Sequence, residues 1–260
     1  MHIRYFIALS ILFLSSCHTS EEVSRIDYSL KKGVNFLESK IKELDPNLMG
    51  LLMWNNKRLD LGIKIDTGRL FKHYNEYQLQ NIEIIRKDFK TKDEFESYLK
   101  DHPQIPIDEL MVKAYYCNKF GLDPNFYPQL SALAKGTEYD LAHALFITSL
   151  CINNSCGESF QLDSLQNTMS KRIQKYLKED PSMTDINTEF VAFLFYAGKY
   201  DLIDRTYLEK IIQLQKEDGG WVGENYNNSK PYELHTTFLS IWVLGEWKKE
   251  VLRQESLISK

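Results

Sequence analysis

The sequence predicts an all-α protein, a ring of helical hairpins with a buried inner layer and a half-wetted outer one, closed or incomplete. Three observations carry this. Twelve Gly and seven Pro are few for 260 residues, while Leu, Ile, Lys and Glu abound, a balance that suits helices better than a turn-rich β-sandwich. Stretches that are apolar nearly all round alternate with stretches apolar on one stripe only. The leading residues of the all-apolar stretches, His143, Glu189 and His235, recur at steps of 46 residues, the period of a two-helix repeat.

The elements follow in order. Leu30, Val34, Leu37, Ile41 and Leu44 step by four and three, which places them on one helical stripe ending at Asp45-Pro46. Residues 47–73 read as irregular, with Trp54-Asn-Asn-Lys57 as a turn. A second helix is expected from about Tyr74 to Lys100, broken by the prolines at 103 and 106. Beyond Pro106 the all-apolar stretches are Leu141–Cys151, Phe190–Ala197 and Thr236–Leu244. Between them lie amphipathic ones, with Leu162, Leu165, Met169, Ile173 and Leu177 on one face, then Leu208, Ile211 and Ile212. An earlier repeat is expected to start at Glu109. The organisation read from this is a leader over 1–16, a polar tether over 17–27, an N-terminal helical region over 28–105 and hairpin repeats over 106–252.

Charge excludes one class of partner. With 32 Lys+Arg against 36 Asp+Glu the net charge is −4, so nothing balances a phosphate backbone and nucleic acid is not expected.

The N-terminus addresses the chain. Arg4 precedes an apolar run from Tyr5 to Leu14 that is too short to span a bilayer as a helix and reads as a secretion signal. Leu14-Ser15-Ser16-Cys17 then resembles the lipobox of bacterial lipoproteins. That resemblance implies cleavage before Cys17, acyl chains on its thiol, and a lipid-anchored place in the bacterial cell envelope, at the outer membrane on its periplasmic or surface face. Each buried CH2 of such chains contributes about 0.8 kcal/mol, so two or three chains hold firmly. Glu21-Glu22 resembles a surface-export signal, but two carboxylates are a short pattern and read better as a solvated spacer.

An extracytoplasmic chain can hold disulfides. Cys151 and Cys156 bracket a short loop at a helix end, where either a bridge or two free thiols with Cys151 in the core fits; Cys117 is the remaining cysteine. No Cys-x-x-Cys occurs, so redox chemistry and a thiolate zinc site lack support.

Gln215-Lys-Glu-Asp218-Gly219-Gly220-Trp221, followed by His235-Thr-Thr-Phe238, resembles the Gln-Trp repeat of the terpenoid cyclase and prenyltransferase α/α-toroid superfamily. The residues have their own physical reading. Gly219 and Gly220 permit a positive-φ turn, Trp221 packs back on the hairpin, and the Gln215 amide bonds free backbone groups at helix ends. The resemblance covers Pro106–Lys249 and implies a barrel with a cavity at the inner-helix N-termini. The Asp-x-Asp-Asp of protonating cyclases and the Asp-Asp-x-x-Asp of ionising synthases are absent. Tyr232-Glu-Leu-His235-Thr236 is similar to the histidine context of the protein prenyltransferases' zinc site, but no Asp-x-Cys precedes it.

In a ring, Asp140, His143, Glu189 and His235 fall at one rim. There they could hold a divalent metal ion or act as general acid and base. The competing reading makes Asp140, Glu189 and Thr236 helix caps and lets the histidines donate to nearby carbonyls. Two functions follow: a binding or scaffold module for a glycan, peptide or envelope protein, or an envelope enzyme of lyase or hydrolase type acting on polysaccharide, with isoprenoid chemistry third.

Overall fold

The computed structural model describes residues 3–65, 87–102, 105–157, 159–224 and 230–258, with side chains from Glu21 onward except at 159, 230–232 and 258. The chain is all-helical, with ten α-helices and no strand among the described residues. They are α1 Ile3–Lys40, α2 Pro46–Leu59, α3 Lys92–Asp101, α4 Pro106–Phe120, α5 Phe126–Leu133, α6 Glu138–Asn153, α7 Ser159–Glu179, α8 Asp185–Tyr196, α9 Arg205–Gln213 and α10 Lys230–Ile258, with short 3-10 turns at Ile41–Glu43 and Tyr200–Leu202.

The centre is built from α6, α8 and α10. Leu141–Leu145, apart from His143, are fully buried on α6; so are Phe190–Ala192 and Leu194 on α8, and Ile241–Leu244 on α10. Sequence explains why these are helices despite their apolar composition. Thr137 and Asp140 form a reciprocal capping box at the start of α6, and the Thr184 hydroxyl accepts from the Asn187 amide at the start of α8. Helix α8 lies between α6 and α10 and packs on both. The amphipathic α7 covers α6 with Leu162, Met169 and Ile173, leaving its Lys and Glu side chains in water. Helix α9 covers α10 with Leu208 and Ile211.

The segment expected to be irregular is helix α2. Asp45 caps it by accepting from the Leu48 amide and Pro46 occupies its first turn. Trp54-Asn-Asn-Lys57 is therefore helix interior, not a turn. The local turn chemistry of two asparagines is overridden by tertiary packing: Trp54 meets Phe146, Tyr196 and Trp242 edge-on at 5.9, 5.2 and 5.6 Å, and Asn55 is fully buried, accepting from Arg58. Arg58 stacks over the same aromatic group, 4.8 Å from the Trp54 ring, and ion-pairs with Glu246 of α10.

Residues 17–27, read as a polar tether, are helical, and from Glu22 onward they pack on the body. Ile26 is fully buried, Glu22 pairs with Arg205 at 2.9 Å, and Ser29 donates to the Gln215 side chain at 2.7 Å. Helix α1 runs along α10, and among the described residues 26–63 share one buried cluster with 110–251. A small second cluster joins Phe89 and Phe95 to Val112 and Tyr116 of α4. Of the helix expected over 74–100, residues 74–86 lie outside the described residues, and α3 forms the remainder.

Of the cysteine readings, the one with Cys151 free in the core holds for that residue, but Cys156 is neither free nor paired with it. Cys156 is bridged to Cys117, 39 residues away on α4, and Cys151 is the buried free thiol. Asn154 fixes the same junction by donating to the Ala114 and Tyr115 carbonyls at 3.1 and 3.2 Å. Burial pushes the Cys151 thiol up to about 12, so it behaves as a small apolar core residue.

Residues of the Gln215 motif clamp α1 rather than only their own hairpin. The Gln215 amide donates to the Ser29 and Gly219 carbonyls, each at 2.9 Å. Gly219 has φ +99°, and a Cβ there would meet the Lys32 carbonyl oxygen at 2.4 Å, so both conformation and space require glycine. Trp221 is fully buried, donates its indole N–H to the Ile211 carbonyl at 2.7 Å, and lies so close to Gly33 that a Cβ there would be 2.6 Å from its ring.

Candidate functional site

Polar side chains from three buried helices meet over an aromatic floor. A cavity of about 70 Å³ is lined by His143 of α6, Glu189 of α8 and His235 of α10. Phe146, Phe193, Phe238 and Trp242 form its floor, and Tyr139, Leu51 and Met111 complete the wall. The Phe146 and Phe193 rings stack at 4.7 Å, and Trp242 meets Phe193 edge-on at 5.4 Å.

Each polar group is held differently. Nδ1 of His235 lies 2.8 Å from Oδ2 of Asp185, while the Thr236 hydroxyl donates to the other oxygen of Asp185 at 2.6 Å. Asp185 therefore orients the imidazole across the α8–α10 contact. Nδ1 of His143 lies 2.9 Å from the Tyr139 carbonyl one turn back on its own helix. A carbonyl can only accept, so that nitrogen carries the hydrogen and Nε2 faces the cavity. Oε1 of Glu189 stands 3.6 Å from it, longer than a hydrogen bond.

Of the four residues expected at one rim, His143, Glu189 and His235 line the cavity and Asp140 does not. Its carboxylate accepts from the Thr137 amide and hydroxyl, each at 2.8 Å, and so serves as a cap. Glu189 and Thr236 are not caps: one lines the cavity and the other holds Asp185. The residue sequence reasoning missed is Asp185. It precedes Glu189 by four positions, hence sits on the same helical face, and that spacing was the available signal.

Burial pushes the Glu189 carboxyl up; the two histidines oppose this and Asp185 adds to it. For His235 burial pulls the other way, yet the hydrogen bond and charge of Asp185, with Glu189 and Asp45 beyond, leave the imidazole above its ordinary value. Asp108, at the start of α4, is raised by burial against the opposing influence of His143, and Tyr139 is raised by burial and by Glu189, Asp108 and Asp140. No group of three or more His, Cys, Asp or Glu side chains among the described residues is arranged to hold a metal ion.

The chain finds no match among protein-family models, curated proteins or solved structures.

The raised values of Glu189 and His235 make stability fall with pH. A folded state that binds extra protons has its full advantage below the unfolded pKa and loses it as pH rises through the folded one. The window opens near the ordinary values, 4.5 for Glu189 and 6.5 for His235. Glu189→Gln removes the first contribution, so its melting temperature gains on the wild type as pH is raised from 4.5. Thermal melts in matched buffers check this, and a constant offset between the two proteins would contradict it.

Proposed function

We propose that this chain is a lipid-anchored protein of the bacterial cell envelope whose helical domain is a binding module, with its ligand seated on His143, Glu189 and His235. The observation that carries the reading is their convergence, from three separate buried helices, on one small cavity with an aromatic floor. Such a site, a largely apolar cleft with a few converging polar groups, has the make-up of a ligand pocket. In this reading the hairpins form an α/α-toroid, closed or incomplete, with the cavity at the inner-helix N-termini. The Cys117–Cys156 bridge supports a compartment that oxidises thiols.

The anchor rests on Leu14-Ser-Ser-Cys17. Those side chains lie outside the described residues, and no helix of the described residues is long and apolar enough to cross a membrane. Its test is metabolic labelling with an alkyne-tagged fatty acid in a bacterial host. The wild type is expected to carry the label and partition with membranes, and Cys17→Ala to lose both. An unlabelled wild type would overturn the anchor. The ligand of the module is a glycan, peptide or envelope protein presenting a small group to the cavity.

A second reading, an envelope enzyme acting on polysaccharide, is favoured by one observation. Asp185 orients His235 as a base is oriented for proton transfer, and the buried acid Glu189 stands beside it. Turnover of envelope glycans that is lost in both His235→Asn and Glu189→Gln would select this reading over simple binding.

A further inference from the structure

The cavity's polar end is built to receive a hydrogen-bond donor. With Nδ1 committed to the Tyr139 carbonyl, the neutral form of His143 presents Nε2 as an acceptor, and the ionised form of Glu189 presents an acceptor as well. The two face one another at 3.6 Å, with His143 12% and Glu189 5% exposed. Two acceptors at that spacing repel unless a proton or a donor group lies between them. No Lys or Arg lines the cavity, which speaks against a phosphate or carboxylate ligand. The charge of a protonated His235 is matched by Asp185 at 2.8 Å, so it adds little net repulsion toward a second cation. The aromatic floor offers ring faces, which attract cations and shed water readily.

We infer that the cavity binds a primary alkylammonium group, with the ammonium between Glu189 and His143 and its alkyl chain over Phe193 and Trp242. This rests on the binding-module reading and names its ligand chemistry. About 70 Å³ admits an end of roughly four heavy atoms, the size of a propylammonium ion or the tip of an amine-bearing side chain. In the empty cavity burial pushes the Glu189 carboxyl up, with His143, His235 and Asp185 facing it and Asp108 and Tyr139 beyond. An arriving ammonium supplies a counter-charge that favours the ionised carboxylate.

The test uses the full chain in detergent micelles and three probes of nearly equal shape, propylammonium, propionate and propionamide. Binding is read from the ring resonances of His143 and His235 at about pH 8, above the ordinary imidazole range. Propylammonium is expected to bind tighter than either competitor by about tenfold or more, the factor of a charge-assisted hydrogen bond. Glu189→Gln, which keeps the side-chain volume, is expected to abolish the preference. Preferential binding of propionate or propionamide, or propylammonium binding that is indifferent to Glu189→Gln, would overturn the ammonium assignment while leaving the cavity a binding site. Silence of both histidines toward all three probes would overturn the binding module itself.

Discussion

Cys117→Ser with Cys156→Ser is expected to lower stability by about 4 kcal/mol, a fall in melting temperature of roughly 8–16 °C for a chain of this size. The bridge closes a sequence separation of 39 residues, and constraining a loop of that length removes entropy from the unfolded chain. Most of the effect acts on the unfolded state, because the α4–α6 junction keeps its packing and the Asn154 bonds to the Ala114 and Tyr115 carbonyls when the sulfurs are replaced. Reduction of the wild type should reproduce the shift, whereas Cys151→Ser should leave the bridge intact and cost only what a hydroxyl costs in an apolar site. Thermal melts with and without reductant check both. Equal melting temperatures for oxidised wild type and double variant would mean the bridge carries no stability.

Trp221→Ala should be the most damaging single substitution, at about 3–5 kcal/mol from the cavity it leaves. Trp221 is fully buried against Gly33 of α1, its indole N–H satisfies the Ile211 carbonyl of α9, and its backbone amide donates to the Thr237 hydroxyl of α10 at 2.8 Å. The side chain thus ties α1 to α9, and the backbone amide holds α10. Trp221→Phe fills most of the space and should lose chiefly the hydrogen bond, leaving a buried carbonyl unpaired at about 1–3 kcal/mol. Denaturant titration of the three proteins checks the grading. A further signature separates this clamp from generic core loss: with Trp221→Ala, amide exchange in α1 around Ile26–Val34 should accelerate before exchange in α6 does.

How much of this was legible follows from where the signal resides. Burial of α6, α8 and α10 could be read because residues apolar on every side of a helix have no alternative to a core, and Thr137-x-x-Asp140 announces its own cap. His143, Glu189 and His235 stand 46 residues apart in sequence, and all three line the cavity. Helix α2 was hidden because Trp54, Asn55 and Arg58 owe their conformation to partners on α6, α8 and α10. Cys117 could not be matched with Cys156 because spacing along the chain does not encode distance across α4 and α6. Asp185 escaped because a carboxylate in a first helical turn resembles a dipole-stabilising residue until the imidazole 2.8 Å away is known.

The convergence of α6, α8 and α10 on one polar cavity is tested most directly by the proton titration of His235 in the folded chain, followed through its ring resonances in the wild type, Asp185→Asn and Glu189→Gln. With carboxylates of α8 beside it, His235 should titrate above the ordinary 6.5, and each substitution should bring it down, Asp185→Asn the more strongly. A His235 that titrates at the ordinary value and ignores both substitutions would place α10 away from α8 and contradict the site.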